Sequence, residues 1–191
     1  DSLVANRRRA ASSKALDTLG ICERGYAVLT LHRPANVDEG EPLARIVDAL
    51  VEISAMVPII FPAHPRTVKN LDSFGLRSRV EAAGGIRIVE PLGYLDFLKV
   101  VEKSAVVLTD SGGLQEETTF LGIPCVTLRE NTERPVTLTD GTNVLVGSDT
   151  RRIVEEAKRA LAGKAKSASI PELWDGKTAP RILAVLKERL G

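Results

Sequence analysis

The stretch 110–117, Asp-Ser-Gly-Gly-Leu-Gln-Glu-Glu, holds the residue types in this 191-residue chain that are best suited to binding a ligand. It follows the apolar run 105–109 and continues into a segment with helical character. A buried strand that breaks on Gly112 and Gly113 and passes directly into a helix points free backbone N–H groups and the positive end of the helix dipole at one place. That place suits a phosphate, and the Ser111 hydroxyl adds a hydrogen-bonding group. The alternative is an ordinary tight turn.

Two carboxylates follow in the same stretch, and they are expected to differ in role. Glu117 lies about one turn into the predicted helix, where it would repel a phosphate but would accept hydrogen bonds from a vicinal diol such as that of ribose. Glu116 lies about 100° around the helix axis, so we expect it to point elsewhere as a solvated glutamate. The sequence therefore predicts a diol contact for Glu117 alone.

Three further polar residues are candidates for the same site. Arg134 precedes Pro135 and could clamp a diphosphate with its planar guanidinium, although a single arginine is commonly a surface residue. His32 and His64, the two histidines of the chain, each follow a predicted strand. The glycine pattern is neither G-x-G-x-x-G nor a Walker loop with its lysine, which disfavours a dinucleotide and ATP hydrolysis.

Other classes of function find little support in the sequence. No histidines and carboxylates stand at metal-ligand spacing, and no arrangement suggests a covalent nucleophile. The net charge of +1 gives no electrostatic case for a nucleic acid or an anionic membrane, and no apolar run approaches the roughly 20 residues that span a bilayer. Two cysteines, Cys22 and Cys125, are too few for a disulfide framework, which favours the cytoplasm, and Cys125 is expected to be buried.

Short apolar segments alternate with helical patterns along the chain, which predicts an α/β fold with a doubly wound parallel sheet of about six strands. The predicted strands are 26–31, 58–62, 86–89, 105–109, 124–128 and 143–146. The predicted helices are 2–19, 41–55, 67–74, 94–103, a segment ending near 121, one from 149 or 150 to 161, and 180–190.

The unusual polar clusters all fall in loops that follow the predicted strands. Such sheets bind ligands at the carboxyl ends of their strands, where the strand order reverses. We therefore expect the loops that contain His32, His64, Phe97, Ser111 and Arg134 to meet at one edge. By residue chemistry alone, the prediction is a nucleoside diphosphate or a nucleotide sugar bound at that edge.

Four motifs together resemble the UDP-N-acetylglucosamine 2-epimerase family. They are residues 30–38, 91–97, 110–117 and 132–135, which occur in the order and spacing of that family. The resemblance implies one half of a two-domain enzyme of the glycosyltransferase-B type, with its active site between two Rossmann-like domains. Residues 1–191 would be the C-terminal, UDP-binding domain, and the N-terminal domain with the main acid/base carboxylates would be absent. The chain starts with Asp1 rather than methionine, which agrees with a fragment of a longer protein.

The resemblance also implies roles for individual residues. Ser111, Gly112 and Gly113 would hold the diphosphate, and Glu117 would hold the ribose hydroxyls. The backbone at Phe97 would read the uracil edge. His32 and Arg134 would reach the phosphates, with His32 assisting catalysis. Arg33 and His64 match positions that contact an allosteric UDP-sugar in some bacterial members, although the loop 34–38 differs from theirs.

The implied reaction interconverts UDP-GlcNAc and UDP-ManNAc by elimination and re-addition of UDP, through a glycal-like intermediate. It needs no nicotinamide or other cofactor and no metal. The fragment alone would be inactive, and the full-length protein would be a homodimer. Two alternatives remain open: a hydrolysing epimerase that releases ManNAc and UDP, and the nucleotide-sugar domain of a glycosyltransferase.

Overall fold

A six-stranded parallel sheet forms the centre of the chain, in a computed structural model that describes residues 1–190. The strand order is β3-β2-β1-β4-β5-β6, and every neighbouring pair is parallel. Its strands are β1 (Ala27–Thr30), β2 (Ile59–Pro62), β3 (Ile86–Val89), β4 (Val106–Thr109), β5 (Cys125–Thr127) and β6 (Asn143–Leu145). The central strands are continuous apolar runs because both of their faces are covered.

Eleven helices lie among residues 1–190, and several of them cover the two faces of the sheet. They are α1 (Ser2–Ala11), α2 (Ala15–Leu19), α3 (Pro34–Val37), α4 (Gly40–Ser54), α5 (Pro65–Ser73), α6 (Arg77–Ala82), α7 (Tyr94–Glu102), α8 (Gly112–Leu121), α9 (Val136–Thr139), α10 (Thr150–Leu161) and α11 (Thr178–Leu190). The predicted doubly wound α/β architecture is confirmed.

The core consists of two apolar clusters, one on each face of the sheet. The larger cluster joins the sheet to α4 and α10, with Leu50 and Ile153 among its buried members. The second joins it to α7 and α8, with Val101 and Leu114 as examples. Cys125 is 2% exposed and belongs to the second cluster, so its predicted burial is confirmed.

The structure differs from the predicted elements at the N-terminus. One helix was predicted over residues 2–19, but α1 ends at Ala11 and α2 begins at Ala15. The Ser13 hydroxyl accepts a hydrogen bond from the Ala15 N–H at 3.1 Å and donates one to Asp96 Oδ1 at 2.5 Å. A serine side chain that bonds to the nearby main chain and to a distant carboxylate competes with the helical hydrogen-bond pattern, which explains the break. The loop after β1 also contains the short helix α3, which was not predicted.

The order of the strands fixes where a ligand can bind. The chain moves from β1 outward to β2 and β3, and then returns to place β4 on the other side of β1. The loops after β1 and β4 therefore separate at their carboxyl ends and leave a crevice between them. The first of these loops begins at His32, and the second contains Asp110 and Ser111.

Candidate ligand-binding site

The buried carboxylate of Asp110 joins the two loops that border the crevice. It is fully buried, and it accepts hydrogen bonds from the Arg33 N–H at 2.9 Å and from the His32 N–H at 3.1 Å. The amide of Asn36 donates to the same carboxylate at 3.2 Å and to the Leu128 carbonyl at 2.8 Å. These contacts fix the loop after β1 against the ends of β4 and β5.

The same carboxylate orients the His32 imidazole. His32 Nδ1 lies 2.9 Å from Asp110 Oδ1, while half of the His32 side chain remains exposed. The hydrogen bond to Asp110 raises the pKa of His32 above its ordinary value, and it outweighs the opposite effect of partial burial. Burial by itself would raise the pKa of Asp110, but the hydrogen bonds from His32 and the Arg33 backbone lower it overall. Asp110 is therefore a carboxylate that favours a protonated His32, with Nε2 free to meet a ligand.

The first turn of α8 presents the predicted anion site. Ser111 caps this helix, since its hydroxyl accepts a long hydrogen bond of 3.4 Å from the Leu114 N–H. The N–H groups of Gly112 and Gly113 precede the first intrahelical donor, the Gln115 N–H, so they are available to a ligand. The Ser111 N–H donates to Thr109 Oγ1 at 2.9 Å, which holds the turn to the end of β4. A helix N-terminus with free N–H groups of this kind can accept an anion such as a phosphate.

Glu117 lies one turn further along α8 and is partly buried. The hydroxyl of Tyr94, at the start of α7, donates to Glu117 Oε1 at 3.2 Å. Burial raises the pKa of Glu117, and the hydrogen bond from Tyr94 opposes this effect. The second carboxylate oxygen of Glu117 has no protein donor in residues 1–190 and can accept from a ligand hydroxyl.

Five of the predicted site residues line one cleft of about 330 Å³, together with Thr30, Tyr94 and Leu114. They are His32, Phe97, Ser111, Gly113 and Glu117. A neighbouring concavity of about 400 Å³ shares Tyr94, Gly113 and Glu117 with this cleft and extends toward Trp174. The cleft lies at the switch in strand order, and it has α8 as one wall and α7 as another.

Arg134 and Glu116 form an ion pair beside this cleft. Arg134 Nε lies 3.0 Å from Glu116 Oε1, and both side chains are exposed by more than a third. Glu116 is exposed, as expected for a solvated glutamate, and the fold places Arg134 within its reach. Arg134 is held against the second turn of α8 and does not itself line the cleft.

Phe97, Arg33 and His64 relate to the site in different ways. Phe97 lines the cleft, but its N–H already donates to the Gly93 carbonyl at 2.9 Å. Arg33 Nη2 would lie 3.9 Å from a Cβ added at Gly112, so its guanidinium stands at the entrance of α8. His64 is exposed, and its Nδ1 accepts from the Arg66 N–H at 3.2 Å as the cap of α5. His64 does not line the cleft.

Asp110, Asn36 and Tyr94 were not singled out as site residues in the sequence. Asp110 carries a signal that could have been used, because it is a carboxylate placed directly after a fully apolar strand. Asn36 and Tyr94 carry no comparable signal, since their roles depend on residues 74 and 23 positions away.

Residues 1–190 contain neither a cluster of metal ligands nor a membrane-spanning helix. No group of three or more His, Cys, Asp or Glu side chains in this range is arranged to hold a metal ion. Every helix in the same range is too short or too polar to cross a bilayer.

The strand order, the crevice at the switch point and the open N-terminus of α8 define a Rossmann-type domain with a ligand site at the carboxyl edge of its sheet. A comparison with protein families gives the particular family. The profile of UDP-N-acetylglucosamine 2-epimerases matches residues 1–187. The chain belongs to the UDP-N-acetylglucosamine 2-epimerase family, as its motifs predict.

Individual relatives agree with this assignment. A UDP-N-acetylglucosamine 2-epimerase of Methanococcus maripaludis is 49% identical over 138 residues, which are 71% of this chain and 38% of that protein. A UDP-2,3-diacetamido-2,3-dideoxy-D-glucuronate 2-epimerase of Pseudomonas aeruginosa is 40% identical over 152 residues, 78% of this chain and 41% of that protein. The crystal structure of the Methanocaldococcus jannaschii UDP-GlcNAc 2-epimerase in complex with UDP-GlcNAc and UDP has a TM-score of 0.84 and 37% identity, and the match covers 97% of this chain and 51% of that one. The chain spans about half the length of these relatives or less.

Proposed function

We propose that this chain is the UDP-binding half of an enzyme that interconverts UDP-GlcNAc and UDP-ManNAc by elimination and re-addition of UDP. The observation that carries this proposal is the cleft, which combines an anion site at α8, the His32–Asp110 pair and the Glu117 carboxylate in a member of the epimerase family. The solved relative that contains UDP-GlcNAc and UDP supports the choice of ligand.

In this proposal the first turn of α8 binds the diphosphate. The N–H groups of Gly112 and Gly113 and the Ser111 hydroxyl donate to its oxygens, with the helix dipole adding a favourable field. Arg134 adds a mobile positive charge from the side, once it exchanges its exposed contact with Glu116 for a phosphate oxygen. Arg33, at the entrance of α8, extends the positive charge around the same point.

The nucleoside lies along the remaining part of the cleft. Glu117 accepts from the ribose diol with the oxygen that Tyr94 leaves free. The uracil ring lies against α7 near Phe97, a partly buried residue that lines the cleft. Because a carboxylate accepts hydrogen bonds from hydroxyl groups but repels phosphate, this order along α8 fixes the direction in which UDP binds.

His32 assists the departure of UDP. The step requires a base at the C2 proton of the sugar and stabilisation of negative charge on the leaving diphosphate. Asp110 favours a cationic imidazole whose Nε2–H faces the cleft, and this cation supports the developing charge. The base at C2 belongs to a second domain of a glycosyltransferase-B-type enzyme, for which residues 1–191 are the C-terminal partner. No nicotinamide takes part.

Two wider features of the protein follow from the same proposal. The thiols of Cys22 and Cys125 are unpaired, which agrees with a cytoplasmic enzyme. The full-length protein is expected to be a homodimer, and sedimentation of that protein would test this.

The proposal is tested by calorimetric titration of this chain with UDP and with uridine. UDP should bind and uridine should bind more weakly, because uridine lacks the diphosphate. Replacement of Glu117 by alanine should weaken UDP binding about 10- to 100-fold, since a hydrogen bond to a charged group is worth about 1.5–3 kcal/mol. The matched Glu116→Ala variant should lose at most about fivefold, because it breaks an exposed ion pair only.

Three results would contradict the proposal. No measurable binding of UDP by the folded chain would remove its basis. Equal losses in Glu117→Ala and Glu116→Ala would remove the ribose assignment. Turnover of UDP-GlcNAc by this chain alone would show that the acid/base groups are not in a second domain.

A second candidate differs only in the sugar. The Pseudomonas aeruginosa relative is named for a diacetamido-dideoxyglucuronate substrate and is 40% identical to this chain. All of the proposed contacts in the cleft are with the UDP moiety, which is common to both substrates. Assays of the full-length protein with both nucleotide sugars would separate the candidates, and analysis for free ManNAc would identify a hydrolysing enzyme.

A further inference from the structure

Arg134 is connected to α8 through both its side chain and its main chain. At the side-chain end, its Nε lies 3.0 Å from Glu116 Oε1. At the main-chain end, its N–H donates to Thr132 Oγ1 at 3.0 Å. The Thr132 hydroxyl in turn donates its proton to Gln115 Oε1 at 2.6 Å. A continuous set of hydrogen bonds therefore joins the first turn of α8 to the main chain of Arg134.

The α8 end of this set is rigid. The Gln115 side chain is fully buried, and its backbone carbonyl accepts from Asn143 Nδ2 at 3.0 Å. Asn143 Oδ1 also accepts a hydrogen bond from the Thr127 hydroxyl at 3.0 Å, which connects α8 to β5 and β6. Because the neighbours of Gln115 are themselves fixed by the sheet, a group bonded to its amide oxygen takes a defined position relative to the N-terminus of α8.

The amide of Gln115 is not explained by packing stability. Its Nε2 is buried and has no hydrogen-bond partner within residues 1–190. Leaving a buried donor unpaired costs about 1–3 kcal/mol, whereas an apolar side chain of similar length would fill the same space without that cost. The oxygen of the same amide is therefore the part of the side chain that has a use, and its contact is Thr132.

The Arg134 main chain is also fixed on its other side. Its carbonyl accepts from the Thr137 hydroxyl at 2.7 Å and from the Thr137 N–H at 3.0 Å. Thr132 and Thr137 thus hold the two sides of one peptide segment, while the long arginine side chain remains half exposed. Such an arrangement fixes the origin of the side chain, while its guanidinium is held only by the exposed ion pair with Glu116.

We propose that Gln115 and Thr132 are positioning residues for Arg134, which place its guanidinium next to the diphosphate bound at α8. This inference rests on the proposed function, since it requires that UDP binds at the first turn of α8. Gln115 and Thr132 do not touch the ligand. They restrict Arg134 before the ligand binds, so that Arg134 loses less conformational entropy when it binds a phosphate oxygen.

The test is calorimetric titration of this chain and its variants with UDP and uridine. Thr132→Val has nearly the same shape and lacks the hydroxyl, so UDP should bind about 3- to 10-fold more weakly, the value expected for one hydrogen bond. Uridine binding should not change, because uridine offers no phosphate to Arg134. Thr132→Ser keeps the hydroxyl and should restore UDP affinity. Thr139→Val, an exposed hydroxyl removed from α9, is the matched control and should match the wild type.

A double-mutant cycle separates positioning from a general structural effect. In an Arg134→Ala background, Thr132→Val should cause no further loss of UDP affinity. Gln115→Met, at the other end of the set, should reproduce the loss seen in Thr132→Val and gives the readout if Thr132→Val fails to unfold cooperatively on heating. An equal loss for uridine, an undiminished loss without Arg134, or wild-type affinity in both variants would overturn the inference. Absence of UDP binding by the wild-type chain would instead overturn the proposed function, and the inference with it.

Discussion

Replacement of Asp110 by asparagine tests the electrostatic centre of the site with little change in shape. Oδ2 of Asp110 receives the Arg33 N–H and the Asn36 amide, whereas Oδ1 faces His32 Nδ1 and shares the His32 N–H. An asparagine has one oxygen and one NH2 group, so it can accept at only one of the two positions. The oxygen is best placed toward Arg33 and Asn36, which are donors only. The NH2 group then faces His32 Nδ1, which must become an acceptor.

This substitution should therefore lower the pKa of His32 and reverse its tautomer. The three bonds at the Oδ2 position, from the Arg33 N–H, the Asn36 amide and the His32 N–H, change from a charged to a neutral acceptor, each losing about 1 kcal/mol. We expect the free energy of unfolding to fall by about 2–4 kcal/mol, from a typical total of about 5–15 kcal/mol, so that the variant still folds.

Proton NMR titration measures the effect directly, because the chain has two histidines. A His64→Gln variant assigns the remaining imidazole signals to His32. Urea unfolding of the same samples gives the change in stability, and Asp72→Asn, an exposed carboxylate on α5, is the matched control that should leave both quantities unchanged. A His32 pKa in Asp110→Asn equal to or above that of the wild type would refute the assignment of Asp110 as the group that favours the imidazolium.

Two further predictions concern pH and packing. The pKa of His32 is raised in the folded state, so the contribution of His32 to stability is complete below its ordinary pKa of 6.5 and is lost as the pH rises through the folded pKa. In urea unfolding, the difference in the free energy of unfolding between wild type and His32→Gln should therefore shrink above about pH 6.5. A difference that grows with pH would contradict this prediction. A Cβ at Gly85 would overlap the Ser54 carbonyl oxygen, so Gly85→Ala should lower the free energy of unfolding by about 1–3 kcal/mol, whereas Gly93→Ala, where a Cβ meets open space, should cost less in the same unfolding experiment.

The sheet could be predicted from the sequence because its signals are local. The six apolar segments and the helical patterns between them lie in continuous stretches, and each predicted strand contains the observed one. The break between α1 and α2 could not be predicted in the same way. It depends on the contact of Ser13 with Asp96, a residue 83 positions away, which competes with a sequence of high helix propensity.

The residues that line the cleft could be predicted from the sequence, but the contacts that hold them in place could not. Ser111, Gly113 and Glu117 follow from the chemistry of a glycine turn that leads into a helix, and the structure places them in one cleft with His32. The Asp110–His32 contact requires β1 and β4 to be neighbours, although 78 positions separate the two residues. The contact of Glu116 with Arg134 was missed because it depends on the path of the loop before α9.

Three consecutive residues of α8 make contact with three different parts of the site, and helical geometry explains how. Successive side chains point about 100° apart. Gln115 therefore faces the buried side and reaches Thr132, Glu116 faces Arg134, and Glu117 faces Tyr94 and the cleft. Because Glu117 and the N–H groups of Gly112 and Gly113 lie on one helix, the distance between them is set by α8 rather than by flexible loops. A ligand that spans these groups must match a fixed spacing, and the proposed binding of UDP requires that its ribose and its diphosphate do so.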